Sequence, residues 1–425
     1  AWPGSAGGLQ GAVEMCNNNG ACRKLAGGVM CPSFRATRDE RDSTRGRANS
    51  LRLALSGQLG AAAMVSDEMA ETMKLCVSCK ACKRECPTGV DMARMKVEVT
   101  ALRTEAKGLS LHDKLIAHLP DYAPYAAAIA PLIRLRDIIP GFAWLSEKLT
   151  GFSARRPLPQ WQRNWFRNRE LPSLPASTKP PVLLFIDSFN RYFEPENIRA
   201  AVRVLERAGY DVFTPAPSDA KQPLCCGRTF LSTGMIDRAR HEATRLVAAM
   251  APFAKDNIPI VGLEPSCTLA LRDEIPALLN NKDAQAVAAA TLTFEELLAR
   301  DKPKLPLKSG KAKALLHGHC HQKAFDAVRP IEDVLSWIDG LTVEKIETSC
   351  CGMAGAFGYG ADTFDVSMKM ANSALLPKIR KADDDTLIIA DGTSCRCQIK
   401  DGTARDAKHV AIILDEWMKA PNNER

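Results

Sequence analysis

One run of thiols, "CVSCKACKRECP", constrains this chain more than any other feature: Cys76, Cys79, Cys82 and Cys86, followed by Pro87. Three thiolates at this pitch can close on three irons of one cubane. The fourth sits ahead of a proline that turns the chain away, and it serves a second cluster where two are present. Structural zinc sites use separated pairs around a sizeable loop, and catalytic thiols are fewer and need a nearby base. The run therefore reads as an iron–sulfur site. A looser run precedes it, "CNNNGACRKLAGGVMCP", with Cys16, Cys22 and Cys31, the last followed by Pro32. Exchange of the pre-proline cysteines predicts one cluster on Cys76, Cys79, Cys82 and Cys31, and another on Cys16, Cys22 and Cys86. Asn19 stands where the fourth thiol of that second set is expected. The second centre is then a 4Fe–4S cluster with a non-thiolate or distant ligand, a 3Fe–4S cluster, or absent. Asn17 to Asn19 either ligate it or simply form a turn.

Fifteen cysteines, an odd number, with no secretory signal, place the chain in a reducing cytosol with thiolates serving metals. No apolar run is long enough to span a bilayer. Lys and Arg total 57 against 49 Asp and Glu and are interspersed with them, which argues against a nucleic-acid partner. The opening "AWPGSAGGLQ" has no initiator methionine and suits processing, an artificial boundary, or a chain cut from a longer one. The arginines at 35, 38, 41, 45, 47 and 52 either sit near the anionic clusters, raising their potential, or form a solvated helical face.

Residues 10–107 carry the first seven cysteines and otherwise have helical spacing, with Ser66 as an N-cap and Val90, Ala93 and Val97 on one face. Residues 108–179 read as a Pro/Trp/Arg-rich connector. Its segment "RRPLPQWQRNWFRNRELPS" is either a docking or membrane face or, the better reading, a linker wrapped over its own domains with arginines stacked on aromatics. From about 180 apolar strands alternate with helices, as in an α/β region with a parallel sheet. That region is duplicated: "VLLFIDS" (182–188) matches "ALLHGHC" (314–320), "PLCCG" (223–227) matches "TSCCG" (348–352), and "IVGLEPSC" (260–267) matches "IIADGTSC" (388–395). Ser188 takes the place of Cys320 in this alignment. The first copy (180–300) thus holds Cys225, Cys226 and Cys267, and the second (311–415) holds Cys320, Cys350, Cys351, Cys395 and Cys397. His317, His319 and His321 are further candidate ligands in the second. The glycines of "CGMAGAFGYG" have the wrong spacing for a dinucleotide fingerprint.

Residues 10–107 resemble the alpha-helical ferredoxin domain, and 180–415 resemble paired cysteine-rich CCG domains. The combination is similar to the glycolate oxidase iron–sulfur subunit, the anaerobic glycerol-3-phosphate dehydrogenase C subunit and heterodisulfide reductase. The wording "CNNNGACRK…MCPSFRATRDE…TRGRAN" with "KLCVSCKACKRECPTGVDM" resembles the C-terminal half of bacterial FAD-linked D-2-hydroxyglutarate dehydrogenases. The resemblance implies an α+β multi-domain fold and an oxidoreductase component carrying electrons from a flavin to a quinone-linked or other acceptor. It implies FAD on a fused or partner domain, since no flavin-binding stretch is found here, and a cytoplasmic location, either free or peripheral on the inner membrane face. It also implies that Cys225, Cys226, Cys267, Cys320, Cys350, Cys351 and Cys395 hold Fe–S or zinc. Ser188 argues against a full heterodisulfide-reductase type of site. No catalytic residue is assigned. The competing readings are a CCG-domain disulfide or quinone reductase and a metal-stabilised scaffold without a redox role.

Overall fold

The computed structural model describes residues 7–217, 219 and 222–420. Its amino-terminal part is built of short helices, Pro32–Thr37, Thr44–Leu55, Asp67–Lys74, Ala81–Glu85 and Met92–Lys107. Their starts follow local chemistry. Ser43 accepts from the Gly46 N–H, Ser66 from Met69 and Asp91 from Arg94, each satisfying a donor the first turn leaves unpaired. Ser66 is thus the N-cap its sequence indicates. The buried stripe of Met92–Lys107 differs from the expected one: Met92, Ala93, Met95 and Val99 are buried, Val97 is half-buried, and Val90 precedes the helix. Because Asp91 sets the start, the inward face runs from Met92 at helical intervals.

Two parallel sheets follow. Strands β1 (Pro181–Phe185), β2 (Asp211–Phe213), β3 (Ile260–Gly262) and β4 (Thr291–Thr293) lie in the order β2-β1-β3-β4. Strands β5 (Ala312–Leu316), β6 (Leu341–Lys345) and β7 (Leu387–Ile389) lie in the order β6-β5-β7. In both sheets the first strand is central and its two successors flank it, with Leu183 paired to Ile260 and Ala314 to Leu387. Alternation along β1 sends Val182 and Leu184 into a core shared with Ala314 and Leu316, while Leu183 and Phe185 face Leu246 and Met250. On the other face of the second sheet, Leu315 and Ile388 share a core with Leu51, Met73 and Met95 of the amino-terminal helices. Thiols from both regions are brought together by that packing.

The stretch 108–179 contains four helices, Leu111–Ala117, Leu119–Ala128, Ala130–Ile138 and Phe142–Thr150, and then a chain that wraps over the rest. Phe166 is buried, Trp161 lies 4.4 Å from Phe193 and Trp165 5.2 Å from Tyr192, ring centre to ring centre. Arg167 lies over Trp165 and Arg155 over Phe364. The Trp/Arg segment therefore packs against its own domains. Exposed apolar side chains are found on the preceding helices instead, among them Tyr125, Leu132, Ile138, Trp144 and Leu149. Among the described residues no helix is long and apolar enough to cross a membrane.

Candidate metal centres

Cys76 and Cys79 lie on the loop between helices Asp67–Lys74 and Ala81–Glu85, and Cys82 on the first turn of the latter. Ser78 and Lys80 adopt positive φ of 50° and 61°, which folds this loop tightly on itself. Cys31 precedes Pro32, the first residue of helix Pro32–Thr37, where a missing N–H costs nothing. All four cysteines are buried and line one cavity, together with Met30, Pro32, Val77 and Met92. The structure therefore brings Cys31 to the second run, as exchange of the pre-proline cysteines requires. Burial pushes the Cys79 and Cys82 thiols upward, so as thiolates they need a compensating cation. Four buried soft sulfur donors lining one cavity fit a 4Fe–4S cubane, which when bound supplies a one-electron carrier.

The surrounding residues hold the loops rigid. Glu85 accepts the N–H groups of Val29 (2.7 Å) and Met30 (2.9 Å), clamping the first run to the second. Arg47 is fully buried. It donates to the carbonyls of Thr72 (2.9 Å) and Asp42 (2.7 Å) and to Ser33 Oγ (3.1 Å), and its Nη1 lies 3.9 Å from Cys31 Sγ. A fixed positive charge beside a ligating sulfur favours the reduced cluster. The arginine series thus divides: Arg47 faces the thiols, Arg35 braces the backbone of residues 24–30, and Arg38 and Arg41 are exposed.

Around the other three cysteines the set is looser. The Arg45 backbone N–H donates to Cys22 Sγ at 3.4 Å, and the Arg45 side chain senses both Cys22 and Cys16. Burial raises the Cys22 thiol. At Cys86 burial is outweighed by hydrogen bonds from Thr88, the backbone of Val90 and Thr88, and the Asn19 amide, so this thiol is lowered. Asn17 Oδ1 accepts from the Asn19 N–H at 3.3 Å and Asn19 Oδ1 from the Ala21 N–H at 2.8 Å. The asparagines thus form a turn, and the turn delivers the Asn19 side chain to Cys86.

The duplicated region repeats its geometry. In the first copy Asp187 caps helix Ser188–Tyr192, Gly227 turns with φ 73°, and its N–H donates to Cys225 Sγ at 3.4 Å. In the second, His319 caps helix Cys320–Ala324, Gly352 turns with φ 85°, and its N–H donates to Cys350 Sγ at 3.3 Å. Ser188 bonds Cys225 as Cys320 bonds Cys350, so the serine occupies the place of the missing thiol. Cys351 and Cys395 sulfurs lie 3.5 Å apart, and the Cys350 thiol brings Cys320 down to about 6. In the first copy burial pushes Cys267 up to about 11 despite a hydrogen bond from Cys226. Lys323 is the cation of the second set, held by the carbonyls of Thr348 (2.7 Å) and Ser349 (3.3 Å) and within electrostatic reach of Cys320, Cys350, Cys351 and Cys395. The structure brings these four cysteines together and excludes Cys397. On helix Thr393–Thr403 two positions turn a side chain by about 200°, and Cys397 points to Tyr359 rather than to Cys395. All fifteen cysteines are free thiols.

The loop bearing Cys79 is keyed to both copies. Ser78 O lies 3.1 Å from His321 Nε2, Arg84 Nη1 donates to Lys323 O at 3.1 Å, and Cys79 and Cys320 sense each other's charge. Lys80 is buried against Asp273 (2.8 Å) and Glu274 (2.5 Å). Burial alone would raise the Asp273 carboxyl, but Lys80 and Lys83 hold it well below the usual range. An unfolded aspartate titrates at about 3.9, so this pair stabilises the fold fully above that value and the contribution is lost as pH falls through the depressed folded value. Asp273→Asn is expected to cost about 3 kcal/mol at neutral pH. In thermal melts the gap between variant and wild type should narrow toward about pH 3; a gap independent of pH would contradict the assignment.

One other buried group, Glu295, Asp391 and His409, has the residue types of a metal site. Asp391 and His409 are already engaged: Asp391 accepts from Gln322 (2.9 Å) and the Val410 N–H (3.1 Å), and His409 accepts from the Ala411 N–H (3.0 Å), while Glu295 Oε1 has no partner among the described residues. His409 caps helix Val410–Trp417 and joins it to the sheet.

Comparison with known proteins agrees with this geometry. The family described as "4Fe-4S dicluster domain" matches residues 12–90, and that described as "Cysteine-rich domain" matches residues 188–272. A D-2-hydroxyglutarate dehydrogenase of Pseudomonas putida is 27% identical over 95% of this chain. The C subunit of the anaerobic glycerol-3-phosphate dehydrogenase of Escherichia coli is 26% identical over 72% of it. The chain is homologous to iron–sulfur subunits of dehydrogenases. It spans 43% of the P. putida relative's length, 76% of the E. coli relative's, and 94% of a probable glycolate oxidase iron-sulfur subunit of Bacillus subtilis, to which it is 23% identical. With its 4Fe-4S dicluster domain and cysteine-rich region it is an iron–sulfur electron-transfer component of an oxidoreductase.

Proposed function

We propose that this component serves an FAD-linked dehydrogenase of D-2-hydroxyacids, of the D-2-hydroxyglutarate or D-lactate/glycolate type, in the cytoplasm. Cys31, Cys76, Cys79 and Cys82 hold one 4Fe–4S cluster. Cys16, Cys22 and Cys86 hold a second, and the four-thiol set around Cys351 holds a further metal centre. The flavin and the substrate site lie on a fused or partner domain, and the electrons go to a quinone-linked or other acceptor. The observation that carries the electron-transfer reading is the docking of two buried four-thiol sets side by side, with Ser78 O 3.1 Å from His321 Nε2 and Cys79 within electrostatic reach of Cys320. Centres held in such proximity, each beside a fixed cation (Arg47 or Lys323), suit one-electron exchange with water excluded.

The test is anaerobic mixing of the metal-loaded protein with D-2-hydroxyglutarate, with and without a flavoprotein dehydrogenase of that acid. Bleaching of the iron–sulfur absorbance is expected only when the flavoprotein is present. Thiol-dependent turnover of a disulfide or quinone without any flavin would contradict the reading and favour a reductase of the CCG type.

A further inference from the structure

His317 stands at the end of β5, where its backbone N–H donates to Ile389 O at 2.8 Å. Its ring is 1% exposed, neither Nδ1 nor Nε2 makes a hydrogen bond of good geometry, and the polar group it interacts with is the Cys351 thiol. A fully buried imidazole with neither nitrogen well bonded forfeits the solvation of two polar atoms, a loss that protein interiors avoid unless something else engages the ring. The ring nitrogen, Cys351 Sγ and Cys395 Sγ all lie within 4.8 Å of one another. Its neighbours in the "HGHCH" motif are otherwise occupied. His319 Nδ1 accepts from the His321 N–H at 3.2 Å, and His321 Nε2 meets Ser78 O at 3.1 Å, facing the amino-terminal cluster loop.

The duplication supplies an independent comparison. The alignment that puts Ser188 at the place of Cys320 puts Phe185 at the place of His317. Phe185 ends β1 as an ordinary core side chain packed with Leu246 and Met250. The copy that lacks the thiol thus lacks the imidazole too, and only the copy with four converging thiols keeps a histidine among them.

We infer that His317 is a nitrogen ligand of the metal centre held by Cys320, Cys350, Cys351 and Cys395. The inference rests on the reading of that thiol set as a metal centre. A neutral imidazole in place of a further thiolate removes one negative charge from the site, as in Rieske centres, where histidine ligation raises the potential.

The test uses the anaerobically purified, metal-loaded chain grown with 15N-histidine. No histidine lies in residues 10–107, and outside the duplicated region the chain has only His112 and His118, so loss of the coupling on substitution of His317 is what assigns it. Pulsed EPR of the reduced protein should show a directly bound histidine nitrogen, lost in both His317→Ala and His317→Cys. Cysteine should retain the metal and lower the midpoint potential. If the site holds zinc, X-ray absorption should show a nitrogen at about 2.0–2.1 Å beside sulfur at about 2.3 Å, replaced by sulfur in His317→Cys. Metal bound with all-sulfur ligation, or a nitrogen signal that survives His317→Ala, would overturn the inference and leave the metal centre standing. If Cys351→Ser costs the protein no metal, both fall.

Discussion

Cys31→Ser is expected to remove about four irons and the cubane signal assigned to the cavity, although Cys31 lies far in sequence from the run it completes. Its thiol lines the same cavity as Cys76, Cys79 and Cys82, its neighbour Pro32 starts the next helix, and Arg47 rests beside its sulfur. Serine keeps the shape and replaces a soft thiolate with a hard hydroxyl, which iron in a cubane holds poorly. Cys86→Ser is the control. Cys86 lies near Asn19 and Thr88 and is not part of that cavity lining. Its substitution should leave the cavity's cluster intact and perturb only the looser site. Iron analysis with low-temperature EPR separates the two. If Cys86→Ser empties the cavity and Cys31→Ser does not, the exchange of pre-proline cysteines is wrong.

Gly352→Ala is expected to be among the most damaging single substitutions outside the amino-terminal domain. Gly352 has φ 85°, in the left-handed region, and a Cβ there would be driven onto the Ser367 carbonyl oxygen, a backbone atom that yields only at high cost. Its N–H also donates to Cys350 Sγ, so moving the turn displaces the paired thiols. Roughly 2–4 kcal/mol of stability should be lost, together with the metal of the second thiol set. The matching change in the first copy, Gly227→Ala, meets Ala239 O at 3.1 Å with φ 73° and should cost only about 1–2 kcal/mol. Denaturant unfolding of both variants, with metal analysis, reads the contrast. Equal effects would mean that the two turns bear no different load.

Features fixed by short-range chemistry are legible in the amino-acid order alone. The C-x2-C-x2-C-x3-C-P pitch, the Ser66 cap and the glycine after each cysteine pair depend only on neighbouring residues, and the shared register of the two copies survives as gapless matches in sequence. The exclusion of Cys397 is within reach too, because two steps along a helix separate it from Cys395 by more than half a turn. The four helices at 111–150 are obscured by internal prolines and by apolar residues that remain exposed, which blurs the periodicity that marks a helix packed on a core. Lys80 and Asp273, Arg84 and Lys323, and Ser78 and His321 meet only because the helical domain docks on both copies. Nothing local in the sequence pairs them. Lys323 likewise looks like one lysine of many until its burial beside four thiols is seen.

Electron transfer through this chain requires that the buried thiol sets hold reducible iron–sulfur centres. The most direct test quantifies iron, acid-labile sulfide and zinc in anaerobically prepared protein and records EPR before and after dithionite. A reducible cubane is expected at the cavity of Cys31, Cys76, Cys79 and Cys82. A second signal should come from the Cys16, Cys22 and Cys86 site, of cubane type if a fourth ligand completes it and of 3Fe type if one corner is empty. Zinc alone, with no centre reducible by dithionite, would contradict electron transfer through this chain.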